Sequence, residues 1–159
     1  MNAGIISVGT ELLMGETKDT NSGWLAARLP ALGVRLESIM TVGDNLVDLA
    51  ETLQKALSRF DLVLTTGGLG PTEDDLTRDA VATAIDEQIA IDPKLLASLE
   101  GWFRRRGMRM SKQNIKQAGI IPSAVALPNL KGTAPGWWVE KNERVIASLP
   151  GPPDELHHM

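Results

Sequence analysis

The sequence predicts an α/β fold, a three-layer αβα sandwich around a mostly parallel mixed sheet. Two observations predict it. Short β-branched runs alternate with amphipathic segments of helical period along most of the chain, and the C-terminal part then turns to a hairpin pattern. Right-handed crossovers between the early strands put helices on both faces of the sheet.

The elements follow in order. "GIISV" (4–8) is a short apolar run suited to a buried parallel strand. After the polar stretch "GETKDTNSG", "WLAARLPALG" reads as a helix with Leu25, Leu29 and Leu32 on one face. Pro30 kinks it or marks an irregular last turn, and Gly33 stops it. "RLESIMTV" (35–42) is a second strand. "NLVDLAETLQKALSRF" (45–60) is the clearest helix, with Val47, Ala50, Leu53 and Leu57 on one face and Asn45 or Asp44 as its cap. "DLVLTT" (61–66) is a third strand, apolar enough to be central. Leu76, Ala80, Val81 and Ala84 mark another amphipathic helix. "PKLLASLEGWFRRRG" (93–107) follows, with Pro93 at its start, Gly107 at its end and Leu95, Leu96, Leu99, Trp102 and Phe103 as its buried stripe. "GWWVEKNERVIASLPG" (136–151) reads as a hairpin turning near Lys141–Asn142. "PGPPDELHHM" then begins a helix, so the expectation is one domain over 1–159, trimmed at its C-terminal side from a longer chain.

Bulk composition narrows the function classes. The chain has 159 residues, 43% of them hydrophobic, enough for a core without staples. A net charge of −4 argues against a nucleic-acid partner. Without cysteine there is neither a disulfide framework nor thiolate chemistry, which fits a reducing cytoplasm. No apolar run approaches the roughly 20 residues that span a bilayer, and the first residues show no leader pattern. The only histidines, His157 and His158, exclude a His-rich zinc site.

In open α/β sheets ligands gather at the carboxyl ends of the strands. "GTELLMG", "VGDN" and "TTGGLGPTEDD" all fall there, after the first, second and third strands. Gly67, Gly68 and Gly70 expose backbone N–H groups to an anion, and Thr65, Thr66 and Thr72 add hydroxyls. The loop is neither a Walker A motif nor G-x-G-x-x-G. The plain alternative is a turn that only links strand to helix. Glu73, Asp74 and Asp75 follow directly. In a helix's first turn each would add about 0.3–1 kcal/mol, and Thr72 with Asp75 has the spacing of a capping box. Three acids beside a phosphate loop repel an anion unless a divalent cation such as Mg2+ stands between them. The expected metal set is therefore Glu11, Asp44, Asp74 and Asp75, against the plain readings of loop acids and caps.

"GTAPGWW" (132–138) adds Thr133 and two tryptophans that face opposite ways in an extended segment, one for the core and one free to stack on a base. "PGPP" (150–153) is a connector or a second anion rim. "RRRGMRMSKQNIK" (104–116) suits a helix C-terminus and a solvated surface, and the aromatics near it fall on the core face.

Taken together, "GTELLMG", "DTN", "VGDN", "DLVLTTGGLGPTEDDLTRDAVA", "GTAPGWW" and "LPGPPDEL" closely resemble the N-terminal domain of the competence/damage-inducible protein A (CinA) family, part of the molybdopterin-binding superfamily. The resemblance implies a homo-oligomer, a dimer or trimer, and metal-dependent ADP-ribose pyrophosphatase activity. Nothing matches the nicotinamide-mononucleotide deamidase domain that longer members carry. By motif position it implies Asp44 and Asp75 as catalytic residues. Thr66, Gly67, Gly68, Gly70, Thr72, Thr133, Pro150, Gly151 and Pro153 are then expected to hold a nucleotide or pterin phosphate. Leu69 departs from the cofactor enzymes, which carry threonine there. Two other readings stay open: a pterin- or nucleotide-binding module or adenylyl transferase of molybdenum cofactor biosynthesis, and a non-enzymatic oligomerising regulatory domain.

Overall fold

A computed structural model describes residues 1–159. Three strands near the N-terminus, β1 (Asn2–Val8), β2 (Arg35–Val42) and β3 (Leu62–Thr66), run parallel, with β1 between the others. Two further short strands, β4 (Ala90–Ile91) and β5 (Gly119–Ile120), form a separate antiparallel pair. Completing the main sheet are β6 (Ala124–Leu127), β7 (Gly136–Lys141) and β8 (Arg144–Leu149), in the order β2-β1-β3-β8-β7-β6. β8 is parallel to β3, and β7 is antiparallel to both its neighbours, β8 and β6, so β7 runs against the other five strands and the sheet is mixed but mostly parallel.

The helices are α1 (Thr10–Leu13), α2 (Asn21–Arg28), α3 (Leu46–Arg59), α4 (Thr77–Ala84), α5 (Pro93–Arg105) and α6 (Pro153–His158). Alternating side chains on the central strands feed two cores. Ile6, Val63 and Ile146 meet Leu49 and Leu53 of α3 and Val81 of α4 on one face. Ile5, Leu64 and Ala147 meet Leu25 of α2 and Leu156 of α6 on the other. Truncating a fully buried member such as Leu53 to alanine would cost about 2–5 kcal/mol.

Local chemistry explains most boundaries. Asn45, not Asp44, caps α3, its side chain accepting from the N–H groups of Val47 and Asp48 at 2.9 and 3.1 Å. The hairpin between β7 and β8 turns on Asn142 and Glu143, both at positive φ, as a type I′ turn requires. Two expectations need correction. α2 stops at Arg28, and Pro30 leads a 3-10 turn over Leu29–Leu32 that leaves Leu32 exposed. On α3 the buried stripe is Leu49, Ala50, Leu53 and Ala56, with Val47 exposed beside the cap. Between α5 and the hairpin, a 3-10 helix over Lys112–Ala118 and strands β5 and β6 are elements that the sequence pattern did not indicate. These pieces are too short to show periodicity.

Candidate anion site at the strand ends

Parallel pairing brings the carboxyl ends of β1, β3 and β8 to one edge, with Ser7 paired to Thr66 and Thr66 to Leu149. The loop after β3 is built on glycine for steric reasons. Gly67 and Gly68 have φ of 99° and 66°, and a Cβ on either would collide with the Val8 carbonyl or the Thr77 hydroxyl. Thr77 donates its hydroxyl to the Gly67 carbonyl at 2.7 Å and its N–H to the Gly68 carbonyl at 3.0 Å. Leu69 is 1% exposed, so its side chain anchors the loop in the protein.

Asp75 shapes the next segment. One carboxylate oxygen accepts from the Gly70 N–H at 2.8 Å; the other accepts from the Thr72 N–H at 2.8 Å and the Thr72 hydroxyl at 2.5 Å. Lys116 crosses from the 3-10 helix to donate to the carbonyls of Thr72 and Asp75 at 2.6 and 2.8 Å. α4 starts only at Thr77, so Glu73, Asp74 and Asp75 sit on a turn ahead of the helix and not in its first turn. The loop's own carboxylate thus satisfies N–H groups that would otherwise be orphaned.

Arg78 braces the loop from below. Its guanidinium is buried, donating from Nη1 to the Leu69 carbonyl at 2.7 Å and from Nη2 to the Pro135 carbonyl at 2.9 Å. Burial pushes its pKa down to about 10, against the opposing pull of Asp75 and Asp79. No carboxylate lies within ion-pair distance, so its positive charge is offset only in part, by Asp75 and Asp79.

Two cavities flank the loop, and both are lined by Gly68 and Gly151. The first, about 240 Å³, also takes Glu11, Lys18, Asp19, Asn21, Thr66, Gly67 and Pro153. The second, about 310 Å³, takes Gly70, Asp75, Gln117, Thr133, Pro150 and Glu155. Gly151 packs close to Gly67, where a Cβ would lie 3.4 Å from the Gly67 Cα. Asn21 ties the wall together, donating to the Thr66 hydroxyl at 2.8 Å and the Gly151 carbonyl at 2.7 Å. Its side-chain oxygen is buried without a partner.

Asp19 accepts from the Ser7 hydroxyl at 2.6 Å and the Ser22 N–H at 3.0 Å. Burial works to raise its pKa, but the hydrogen bonds from Ser22, Ser7 and Asn21 outweigh it and hold the carboxyl below the ordinary aspartate value. This residue and Asn21 stand in the "DTN" motif, which counted toward the family resemblance without giving either of them a role. Gln117 and Arg78 carried no local signal of a role.

The expected metal set does not assemble. Asp44 staples the loop after β2 to α1, its carboxylate accepting from the Thr10 N–H at 2.9 Å, and it lines neither cavity. Asp74 is exposed on the turn, Thr72 is engaged with Asp75, and no three acidic or histidine side chains converge as a ligand group. Asp44 and Asp75 are drawn instead to backbone N–H groups, those of Thr10 and of Gly70 and Thr72. Glu11 alone of the four reaches the first cavity, where it joins Asp19 and the orphaned Asn21 oxygen. That all-oxygen set fits a hard ion such as Mg2+, which uses one or two carboxylates and takes its remaining ligands from phosphate and water.

The tryptophans also part company. Trp137 is fully buried, whereas Trp138 is exposed on β7, its indole N–H donating to Glu140 at 2.6 Å. Trp102, expected in the buried stripe of α5, is only half-buried and lines a third cavity.

A family model described as a "probable molybdopterin binding domain" matches residues 4–159. The chain is 55% identical over 99% of its length to a CinA-like protein of Deinococcus radiodurans, and 46% identical over its full length to one of Thermomicrobium roseum. It spans about 40% of the length of these curated relatives. The CinA protein of unknown function from Thermoplasma acidophilum superposes with a TM-score of 0.93 at 34% identity, over 99% of this chain and 93% of that one. The molybdopterin biosynthesis enzyme MoaB of Thermus thermophilus shares the fold, with a TM-score of 0.64 at 23% identity over 98% of this chain and 84% of that one.

Proposed function

Because this chain belongs to the molybdopterin-binding domain family, among its CinA-like members, we propose that it binds a phosphorylated nucleotide across the Gly68–Gly151 ridge and hydrolyses a nucleoside diphosphate sugar such as ADP-ribose. One observation carries this reading: the phosphate-type loop lies between two cavities that share Gly68 and Gly151. A pyrophosphate with an organic group at each end has the same form, a central double anion with two arms.

The chain's residues divide the work. Lys18, the Gly loop and the buried Arg78 charge attract the pyrophosphate. Glu11, Asp19 and the Asn21 oxygen would hold a divalent ion, which when bound neutralises phosphate oxygens and makes water a better nucleophile. Water adds to one phosphorus, the bridging P–O bond breaks, and the products from ADP-ribose are AMP and ribose 5-phosphate. Glu11, whose carboxylate folds back over Gly9, accepts the proton of the attacking water. Asp75 acts by keeping Gly70 and Thr72 in place.

The test is AMP release from ADP-ribose, with Mg2+ and with chelator, on this chain and on Glu11→Gln and Asp19→Asn. Mg2+-dependent release that both variants lose supports the reading. Binding of AMP or a pterin phosphate without turnover would replace it with a binding module.

A further inference from the structure

We propose that Gln117 is a positioning residue: a row of side chains running from Ser111 through Asn114 and Gln117 fixes the Thr133 hydroxyl as a hydrogen-bond donor to a phosphate oxygen in the second cavity. The inference rests on the phosphate reading above and adds what orients one of its donors.

The 3-10 helix over Lys112–Ala118 sets the spacing. Its cap Ser111, then Asn114 and Gln117, recur every third residue. Three residues make one turn of such a helix, so the three side chains stack on one face. An α-helix, at about 3.6 residues per turn, would swing each successive member off that line. The helix has seven residues, whereas 3-10 runs beyond about four are uncommon. Asn114 and Gln117 are buried, so their amides must find partners inside the protein.

Hydrogen bonding gives the row a direction. The Ser111 N–H can only donate, and it meets the Asn114 side-chain oxygen at 3.0 Å, with the Ser111 hydroxyl on the same oxygen at 2.7 Å. The Asn114 NH2 is thereby turned toward Gln117 and donates to its side-chain oxygen at 3.1 Å. That leaves the Gln117 NH2 to donate to the Thr133 hydroxyl at 3.0 Å. A hydroxyl that accepts this bond keeps its own proton for a further acceptor.

That proton faces a site with use for it. Thr133 is half-buried and carries the one hydroxyl among the residues lining the second cavity. Asp75 and Glu155 line it too, but they are acceptors and already receive bonds, from Gly70 and Thr72 and from Asn129. Lys116, next to Gln117 in the chain, sets its ammonium on the carbonyls of Thr72 and Asp75 and brings positive charge to the same wall. A directed hydroxyl beside that charge suits an anionic oxygen.

The experiment measures inorganic pyrophosphate binding by calorimetry on the unaltered chain, Thr133→Val, Thr133→Ser, Asn114→Asp and the double variant Asn114→Asp with Thr133→Val, each checked for folding by circular dichroism. Asn114→Asp still accepts from Ser111 but has no NH2. Gln117 then turns round to donate to it and offers its oxygen to Thr133, whose hydroxyl donates to Gln117 and not to the ligand. Thr133→Val and Asn114→Asp are each expected to weaken binding about tenfold or more, the worth of a hydrogen bond to a charged group. Thr133→Ser keeps the hydroxyl and binds nearly as the unaltered chain does. The double variant binds no more weakly than Thr133→Val, because Asn114 acts only through that hydroxyl; the added charge alone would act again in that background. Gln117→Glu, which inverts the last step directly, takes the place of Asn114→Asp should that variant unfold. Unchanged affinity in Thr133→Val or Asn114→Asp, or two losses that multiply in the double variant, overturns the relay and leaves the phosphate reading standing. No pyrophosphate binding by the unaltered chain overturns both.

Discussion

Replacing Arg78 with methionine should leave the fold almost as stable while disabling the loop. Burial has lowered the guanidinium pKa to about 10, a displacement worth about 3 kcal/mol against the folded state. Methionine removes that penalty and fills most of the same space. It also strips the Leu69 and Pro135 carbonyls of their donors, at roughly 1–3 kcal/mol for each buried group. The two effects oppose each other, so unfolding free energy in urea should stay within about 2 kcal/mol of the unaltered chain. Function should not survive so well. Leu69 lines the second cavity, Pro135 follows Ala134, which also lines it, and Arg78 donates to the carbonyls of both Leu69 and Pro135. Losing the brace and its charge should weaken pyrophosphate binding by about tenfold or more. The assay pair is urea unfolding by circular dichroism and pyrophosphate binding by calorimetry. A stability loss above about 4 kcal/mol would refute the balance of burial against hydrogen bonding. Unchanged pyrophosphate affinity would refute the brace.

Gly68→Ala forces a methyl into the Thr77 hydroxyl at a positive φ; about 1–3 kcal/mol of stability should be lost, visible as a lower Tm. Asp19 has a lowered folded pKa, so its stabilising contribution is present above the ordinary aspartate range and fades as pH falls through the folded value. The unfolding free energy of Asp19→Asn should therefore fall less steeply with acid than that of the unaltered chain, in parallel urea titrations from neutral pH downward. Chelation should abolish AMP release from ADP-ribose and leave the circular dichroism spectrum unaltered, with Mg2+ restoring turnover, because no cluster of three acids depends on a metal to fold.

The strands at 35–42 and 62–66, the capped helix α3 and the hairpin were legible because each announces itself locally, through alternation, period or turn residues. Val47 shows the limit of that reading. It lies on the apolar side of the helical wheel, yet one step of rotation about the axis, set by where the sheet lies, buries Leu49 and Ala56 in its place. The acids show it more sharply. Sequence spacing marked Asp44 and Asp75 as chemistry, but in the fold a hydrogen bond from Thr10 engages the first and hydrogen bonds from Gly70 and Thr72 the second. Asp19 and Asn21, passed over as part of a polar stretch, line the cavity.

By itself the sequence determined the layered α/β architecture, the family and the glycine loop at the sheet's carboxyl edge. The architecture and the loop follow from patterns that span a few residues and report only on backbone conformation and one-sided burial, and the family from the resemblance its motifs carry. Tertiary structure alone decided which side chains line the two cavities beside the loop. Arg78 reaches Pro135, Lys116 reaches Thr72 and Gln117 reaches Thr133 across separations of 57, 44 and 16 residues. Such partners share no local period, because crossing segments meet only when both sheet faces close over their cores.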